Sequence, residues 1–125
     1  PGLGIWLGAQ QITKAFGANV YRMPQPEEGI GTVRGTDGTL LNVFHWHGEA
    51  MSRLPGSTLL YENEHALQGF AYHDHIVGFQ FHLEVTPDMI AEIGAAAGKP
   101  QGPVNLGILD HGHQVLAATL DRLFL

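Results

Sequence analysis

A chain of 125 residues with 44 % hydrophobic residues and a formal net charge of −6 has room for one domain, burying roughly two-thirds of its unfolded surface. Its six Lys and Arg residues are scattered, which argues against nucleic acid or an anionic membrane as a partner. There is no cysteine, so disulfides, thiolate catalysis and Cys-based zinc sites are excluded; no stretch has a secretory-leader pattern or the length to span a bilayer, so a soluble, cytoplasmic protein is expected.

The chain opens on a short apolar strand, Leu3 and Ile5, that runs straight into Gly4-Ile5-Trp6-Leu7-Gly8. Helix-spaced apolar residues follow, so a helix is predicted from Leu7 to Phe16, stopped by Gly17. A residue bracketed by two glycines between a strand and a helix has the layout of a nucleophile elbow, a strained turn that needs small neighbours. Asn19 to Met23 reads as a strand and Pro24 to Gly29 as a loop. Thr32 to Gly35 and Leu40 to Trp46 read as strands joined across Asp37-Gly38, a strong hairpin signal. Leu54 to Ser57 is a turn, and Thr58 to Tyr61 a strand. Ala66 to Tyr72 and Ile76 to Phe81 form a second hairpin across His73-Asp74-His75. Thr86 is an N-cap with Pro87 behind it, opening a helix to about Ala97 that Gly98 ends. Lys99 to Gly107 is a Pro/Gly loop. A last helix is expected from about His111 to Phe124, with Leu116, Leu120, Leu123 and Phe124 on its apolar face. Neither an internal repeat nor an interdomain linker interrupts residues 1–125. The mix is α/β and suits a flavodoxin-like three-layer sandwich.

The string Gly4-Ile5-Trp6-Leu7-Gly8-Ala9-Gln10 resembles the elbow of class I, triad-type glutamine amidotransferases, the kind related to GMP synthase. In that family the middle residue is the cysteine nucleophile, and here it is Trp6, whose indole N–H can only donate. The segment Gln80-Phe81-His82-Leu83-Glu84 is similar to the family's Gln-Phe-His-Pro-Glu. Residues two apart on a strand share a face, so Glu84 can orient the His82 imidazole as base and orienter of a triad. Leu83 replaces the family's proline, a change expected to loosen that pair. Val43 to Glu49 resembles the family segment carrying His-Gly-Asp, with Glu49 in place of aspartate. By this resemblance, backbone near His47, Gly48, Glu49 and Ala50 would meet the amino and carboxylate groups of glutamine. Gln10 would touch it too, and the Leu7 N–H would supply half of an oxyanion hole. Glu27 or Glu28, before Gly29-Ile30-Gly31, matches a further family motif loosely. The resemblance implies a family fold in which roughly half a domain precedes the first strand here, so the expectation is a partial domain with an exposed sheet edge and a homo-oligomer formed through it. It implies the family reaction, release of ammonia from glutamine, and the Trp6 substitution predicts that this chain does not perform it.

Eight histidines open a different reading, a His-rich metal-dependent hydrolase or oxygenase. His45 and His47, and likewise His73 and His75, form H-x-H pairs whose members share a face if they lie on strands. Against a divalent metal ion, His73 and His75 fall at an expected hairpin tip, and His45 reads equally well as a surface residue on an edge strand. His65, His111 and His113 read as exposed. Trp6 itself reads either as a plug burying apolar area in a disused pocket or as a stacking platform in a pocket turned to new use. No cofactor is required by the amidotransferase reading.

Overall fold

A computed structural model describes residues 1–125. Strand β1 (Gly2–Ile5) leads into helix α1 (Leu7–Ala15); then come β2 (Val20–Gly35), β3 (Leu40–Met51), β4 (Thr58–Glu62), β5 (Leu67–Tyr72), β6 (Ile76–Phe79), α2 (Pro87–Ala96) and α3 (Leu106–Phe124). The six strands form one sheet in the order β1-β6-β5-β3-β2-β4, with β4 also pairing back onto β5. The β1–β6 pair is parallel, Gly4 opposite Gly78, and the other pairings are antiparallel.

Helices cover both faces, which gives the three expected layers. On one face Ala9 and Ile12 of α1 pack with Met51, Leu54 and Phe70. On the other, Val115, Leu116 and Leu123 of α3 pack on Val33, Leu41, Val43, Val77, Phe79 and Phe81. A third cluster joins Phe44 of β3 to Val85, Ile90 of α2 and Leu109 at the start of α3. Within β3 the residues Leu41, Val43, His45 and His47 are all buried, so one apolar face continues into two histidines.

Several sequence expectations move. Pro24 to Gly29 is not a free loop but part of β2, where the register against β3 shifts between Arg22 and Glu27. A bulge tolerates the Pro24 and Pro26 that a regular ladder would reject. Strand β3 runs on to Met51, and β6 ends at Phe79, so His82 sits beyond the strand, held by an isolated bridge to Phe44. Helix α3 begins at Leu106, capped by the Asn105 side chain, five residues before the expected start. Its inward stripe is Leu109, Gly112, Val115, Leu116 and Leu123, whereas Leu120 and Phe124 stand 40 % and 52 % exposed.

Candidate functional site

The elbow is present in the backbone. Trp6, between β1 and α1, has φ 53 and ψ −110, a left-handed conformation that non-glycine residues avoid. The Trp6 N–H donates to the Phe79 carbonyl at 2.8 Å, and the Trp6 carbonyl accepts from Gln10 N–H at 3.1 Å. Helix α1 starts with no side-chain cap, so the elbow looks out over N–H groups that lack helical partners. The bracketing glycines differ in role. A Cβ on Gly4 would stand 2.6 Å from the Gly8 carbonyl carbon and 2.7 Å from the Ala9 nitrogen, whereas one on Gly8 would meet nothing. Close approach therefore needs Gly4; Gly8 is not required for space.

His82 faces the elbow residue. Its ring centroid is 5.7 Å from that of Trp6, with the planes tilted by 53°. Its Nδ1 donates to Glu84, 3.0 and 3.1 Å from the two carboxylate oxygens, which leaves the Nε2 of a neutral ring as a proton acceptor. Burial would raise the Glu84 carboxyl, but the hydrogen bond and charge of His82 together with the backbone N–H groups of Glu84 and Leu83 outweigh it and hold that group below its ordinary value. The loosening expected from Leu83 is not seen. Leu83 is 2 % exposed in the core, and a Cβ on Gly112 would lie 3.0 Å from its Cδ2, so packing holds what proline would have held.

Beside the elbow lies an open cavity of about 580 Å³, with Trp6, Leu7, Gln10, His47, Gly48 and Glu49 in its walls. The structure thus gathers Leu7, Gln10, His47, Gly48 and Glu49, which the resemblance assigned to glutamine, while Ala50, assigned with them, is buried and outside the wall. Sequence reasoning missed Arg22, Pro26 and Trp46, which also line it, and of Glu27 and Glu28, either of which matched a motif loosely, Glu28 lies in the wall. Arg22 is the last paired residue before the bulge and lies in no motif, and Trp46 lies inside the Val43–Glu49 match without being one of the residues given a role there. Trp6 is 38 % exposed, so it stands in the wall and does not plug the cavity. Gln10 is buried and joined to Gln80 by an amide hydrogen bond of 3.3 Å.

The histidine pairs separate. His73 and His75 are exposed at the β5–β6 tip, where His73 and Asp74 both have positive φ. The His75 carbonyl accepts from Gly2 N–H at the start of β1, which puts this tip at the far end of the sheet from the elbow. His45 and His47 behave otherwise. Strand β3 lies between β5 and β2, so His45 is no surface residue of an edge strand; it is 3 % exposed. Across the ladder Glu27 pairs with His47 and Gly29 with His45, and Gly31 leaves room for the His45 ring, since a Cβ there would stand 2.8 Å from His45 Cδ2. His47 Nε2 is 3.3 Å from Glu27 Oε1, and His45 Nε2 is 3.5 Å from Glu27 Oε2. Burial would raise the Glu27 carboxyl, but hydrogen bonding from His47 when its Nε2 carries a proton, the charge of His45 when protonated, and the Gln68 and Asn63 amides bring it down to about 2. Burial drives His45 down to about 4 against the pull of Glu27. His45 is therefore neutral at pH 7 and lends Glu27 no charge there, while the Gln68 and Asn63 amides, each at 2.8 Å, hold the carboxylate in either case. His65 is exposed beside Glu64. His113, expected to be exposed, is half-buried with its Nε2 2.8 Å from the Val85 carbonyl.

Helices on both faces of one sheet, with a strained strand-to-helix elbow facing a His–Glu couple, give the layout of a nucleophile-elbow α/β domain. Residues 1–91 match the class-I glutamine amidotransferase family, and the chain belongs to it. It is 28 % identical over 135 aligned positions to the glutamine amidotransferase-like protein YfeJ of Salmonella typhimurium, covering 98 % of this chain and 50 % of that protein. It is 36 % identical over 96 positions to one subunit of the glutamine-hydrolysing GMP synthase of Sulfolobus acidocaldarius, covering 68 % of this chain and 51 % of that one. The chain thus spans about half the length of the curated relatives it matches. Among solved structures, a glutamine amidotransferase of Methylobacillus flagellatus superposes with a TM-score of 0.86 at 21 % identity, over 97 % of this chain and 61 % of that one. A second, from Thermotoga maritima, superposes with a TM-score of 0.70 at 29 % identity, over 97 % and 59 %. No helix is long and apolar enough to cross a membrane.

Proposed function

We propose that this chain is a glutamine amidotransferase-type domain that keeps a cleft for a small amino-acid-like ligand and does not hydrolyse glutamine. The observation that carries this is Trp6 at the elbow with its ring 5.7 Å from that of His82. Thioester formation needs a nucleophile that the imidazole can deprotonate, and the indole N–H is only a donor. His82 and Glu84 keep the geometry of base and orienter with nothing to activate. The cavity walls hold Arg22 together with Glu28 and Glu49, a mixture of charges that suits a zwitterion, and the elbow N–H groups suit a carboxylate or amide oxygen.

The test is a coupled glutamate-release assay on the unmutated chain and on Trp6→Cys. The unmutated chain is expected to show no turnover above the buffer blank, and turnover by it would refute the reading. In Trp6→Cys the introduced thiol is expected to react with iodoacetamide faster than a free thiol, because an imidazole and a helix start both favour thiolate.

A second reading, association through the sheet edge, is favoured by one specific observation. Strand β1 ends the strand order and pairs only with β6. Its outer row of N–H and C=O groups is a template for another strand, and a second copy of this chain is the simplest donor. Kinship with the amidotransferases also favours a cytoplasmic setting and no role for nucleic acid.

A further inference from the structure

The histidine pair on β3 has no part in the proposed base–orienter couple, yet it is the most deeply buried polar cluster in the molecule's interior apart from the glutamines. Its bonding does not close on itself. His47 Nδ1 lies 2.8 Å from the Glu49 carbonyl, so Nδ1 carries hydrogen and donates. In the neutral ring Nε2 is then a lone pair, which can accept from His45 Nδ1 at 3.3 Å and lies 3.3 Å from Glu27 Oε1. His45 Nε2 has no hydrogen-bond partner at all, though its side chain is 3 % exposed and Glu27 Oε2 is 3.5 Å away. With the His45 hydrogen on Nδ1, facing His47, that Nε2 is a buried lone pair with no donor against it. Buried ring nitrogens facing a carboxylate without a shared hydrogen want a cation between them.

We propose that Glu27, His45 and His47 form a binding site for a zinc-like divalent transition-metal ion. The three ligand atoms lie within 4.8 Å of one another. Two ligands at ordinary bond lengths on a tetrahedral zinc ion stand about 3.3 Å apart, and the Glu27 oxygens are 3.3 and 3.5 Å from the two imidazole nitrogens. Two imidazoles and one carboxylate are a donor set that zinc accepts, with room for one further ligand. The surroundings are those of a metal site. The Glu49 carbonyl fixes the His47 tautomer so that Nε2 faces inward, and the Asn63 and Gln68 amides fix the carboxylate, as outer partners do around metal ligands. The elements supplying the ligands are joined by the β2–β3 ladder, Glu27 directly opposite His47. An ion there would tie the bulged arm of β2 to β3 beneath the cavity wall formed by Glu28, His47 and Glu49. It would bind whether or not the cleft takes glutamine.

Tag-free protein, stripped with chelator and dialysed, is titrated with zinc alone, and bound metal is counted after desalting. One zinc per chain is expected, with a rise in thermal midpoint. The isosteric Glu27→Gln and the variant His45→Gln should each weaken zinc binding by on the order of a hundredfold or more, since even outer partners are worth roughly ten- to a hundredfold. The double variant His73→Gln/His75→Gln, at the exposed tip, should keep full stoichiometry. Cobalt alone on the unmutated chain should give the intense visible bands of a tetrahedral ion, a readout that survives if either core variant fails to fold. No retained metal and no such bands, as would follow if an imidazolium filled the cluster, would overturn the proposal. So would binding that disappears with the tip histidines and survives in His45→Gln.

Discussion

At the scale of single residues, the elbow separates two glycines that look alike in sequence. Gly4→Ala drives a methyl into backbone, 2.6 Å from the Gly8 carbonyl carbon, and backbone cannot step aside as a flexible side chain can. A loss of about 1–3 kcal/mol is expected. Gly8→Ala meets nothing and lies in the first turn of α1, where alanine is favoured over glycine by roughly 0.5–1 kcal/mol. Urea unfolding of the two variants should move the midpoint in opposite directions. Glu84 supplies a pH signature. Its carboxyl is lowered in the folded chain, so its stabilising contribution is complete above the ordinary value of 4.5 and disappears as the pH falls through the folded value. Its side chain is 36 % exposed, so solvent screening keeps the effect below about 1 kcal/mol. Unfolding free energies of the unmutated chain and Glu84→Gln should converge as the pH is taken below 4.5. A gap that widens in acid would contradict the His82–Glu84 assignment. Both tests concern residues that the sequence exposed directly, because elbow and His-x-Glu spacing are local patterns.

Among the elements, α3 offers the sharpest distinction. Leu123 is buried in the main core cluster and Leu120 stands outward, although both sit on the apolar stripe that periodicity suggested. Leu123→Ala should cost about 2 kcal/mol or more and Leu120→Ala no more than about 0.5 kcal/mol; equal losses in thermal unfolding would show that the helix is rolled about its axis. The order of strands and helices was legible because turns carry their own chemistry: Asp37-Gly38, Thr86-Pro87 and Gly98 each punctuate as their residue types dictate. What escaped was non-local. Pro24 and Pro26 read as loop because a lone segment gives no hint of a partner strand that tolerates a bulge. The helix start at Leu106 was hidden by the Pro/Gly-rich stretch before it, where Asn105 supplies the cap. Leu83 looked like a lost proline, and its packing against Gly112 became visible only with α3 in place.

Over the whole molecule, the sequence disclosed the motif-bearing part of the cleft wall but neither Arg22 and Trp46 in that wall nor the residues beneath it. Glu27 and His45 come together through the register of β2 on β3, displaced by the bulge, and no spacing along the chain encodes that. The open edge of β1 makes a prediction at this scale: light scattering should find more than one copy per particle, while a monomer at high concentration would remove the edge-pairing reading and leave the cleft untouched. The central claim is that the cleft survives without its chemistry. It is tested most directly by titrating the isotope-labelled chain with glutamine in one magnetic-resonance sample, following the indole N–H signals of Trp6 and Trp46 alongside the glutamine itself. The Trp6 and Trp46 signals are expected to shift with glutamine concentration while the glutamine stays intact. Glutamate accumulating in that tube, or indole signals that never move, would contradict the claim.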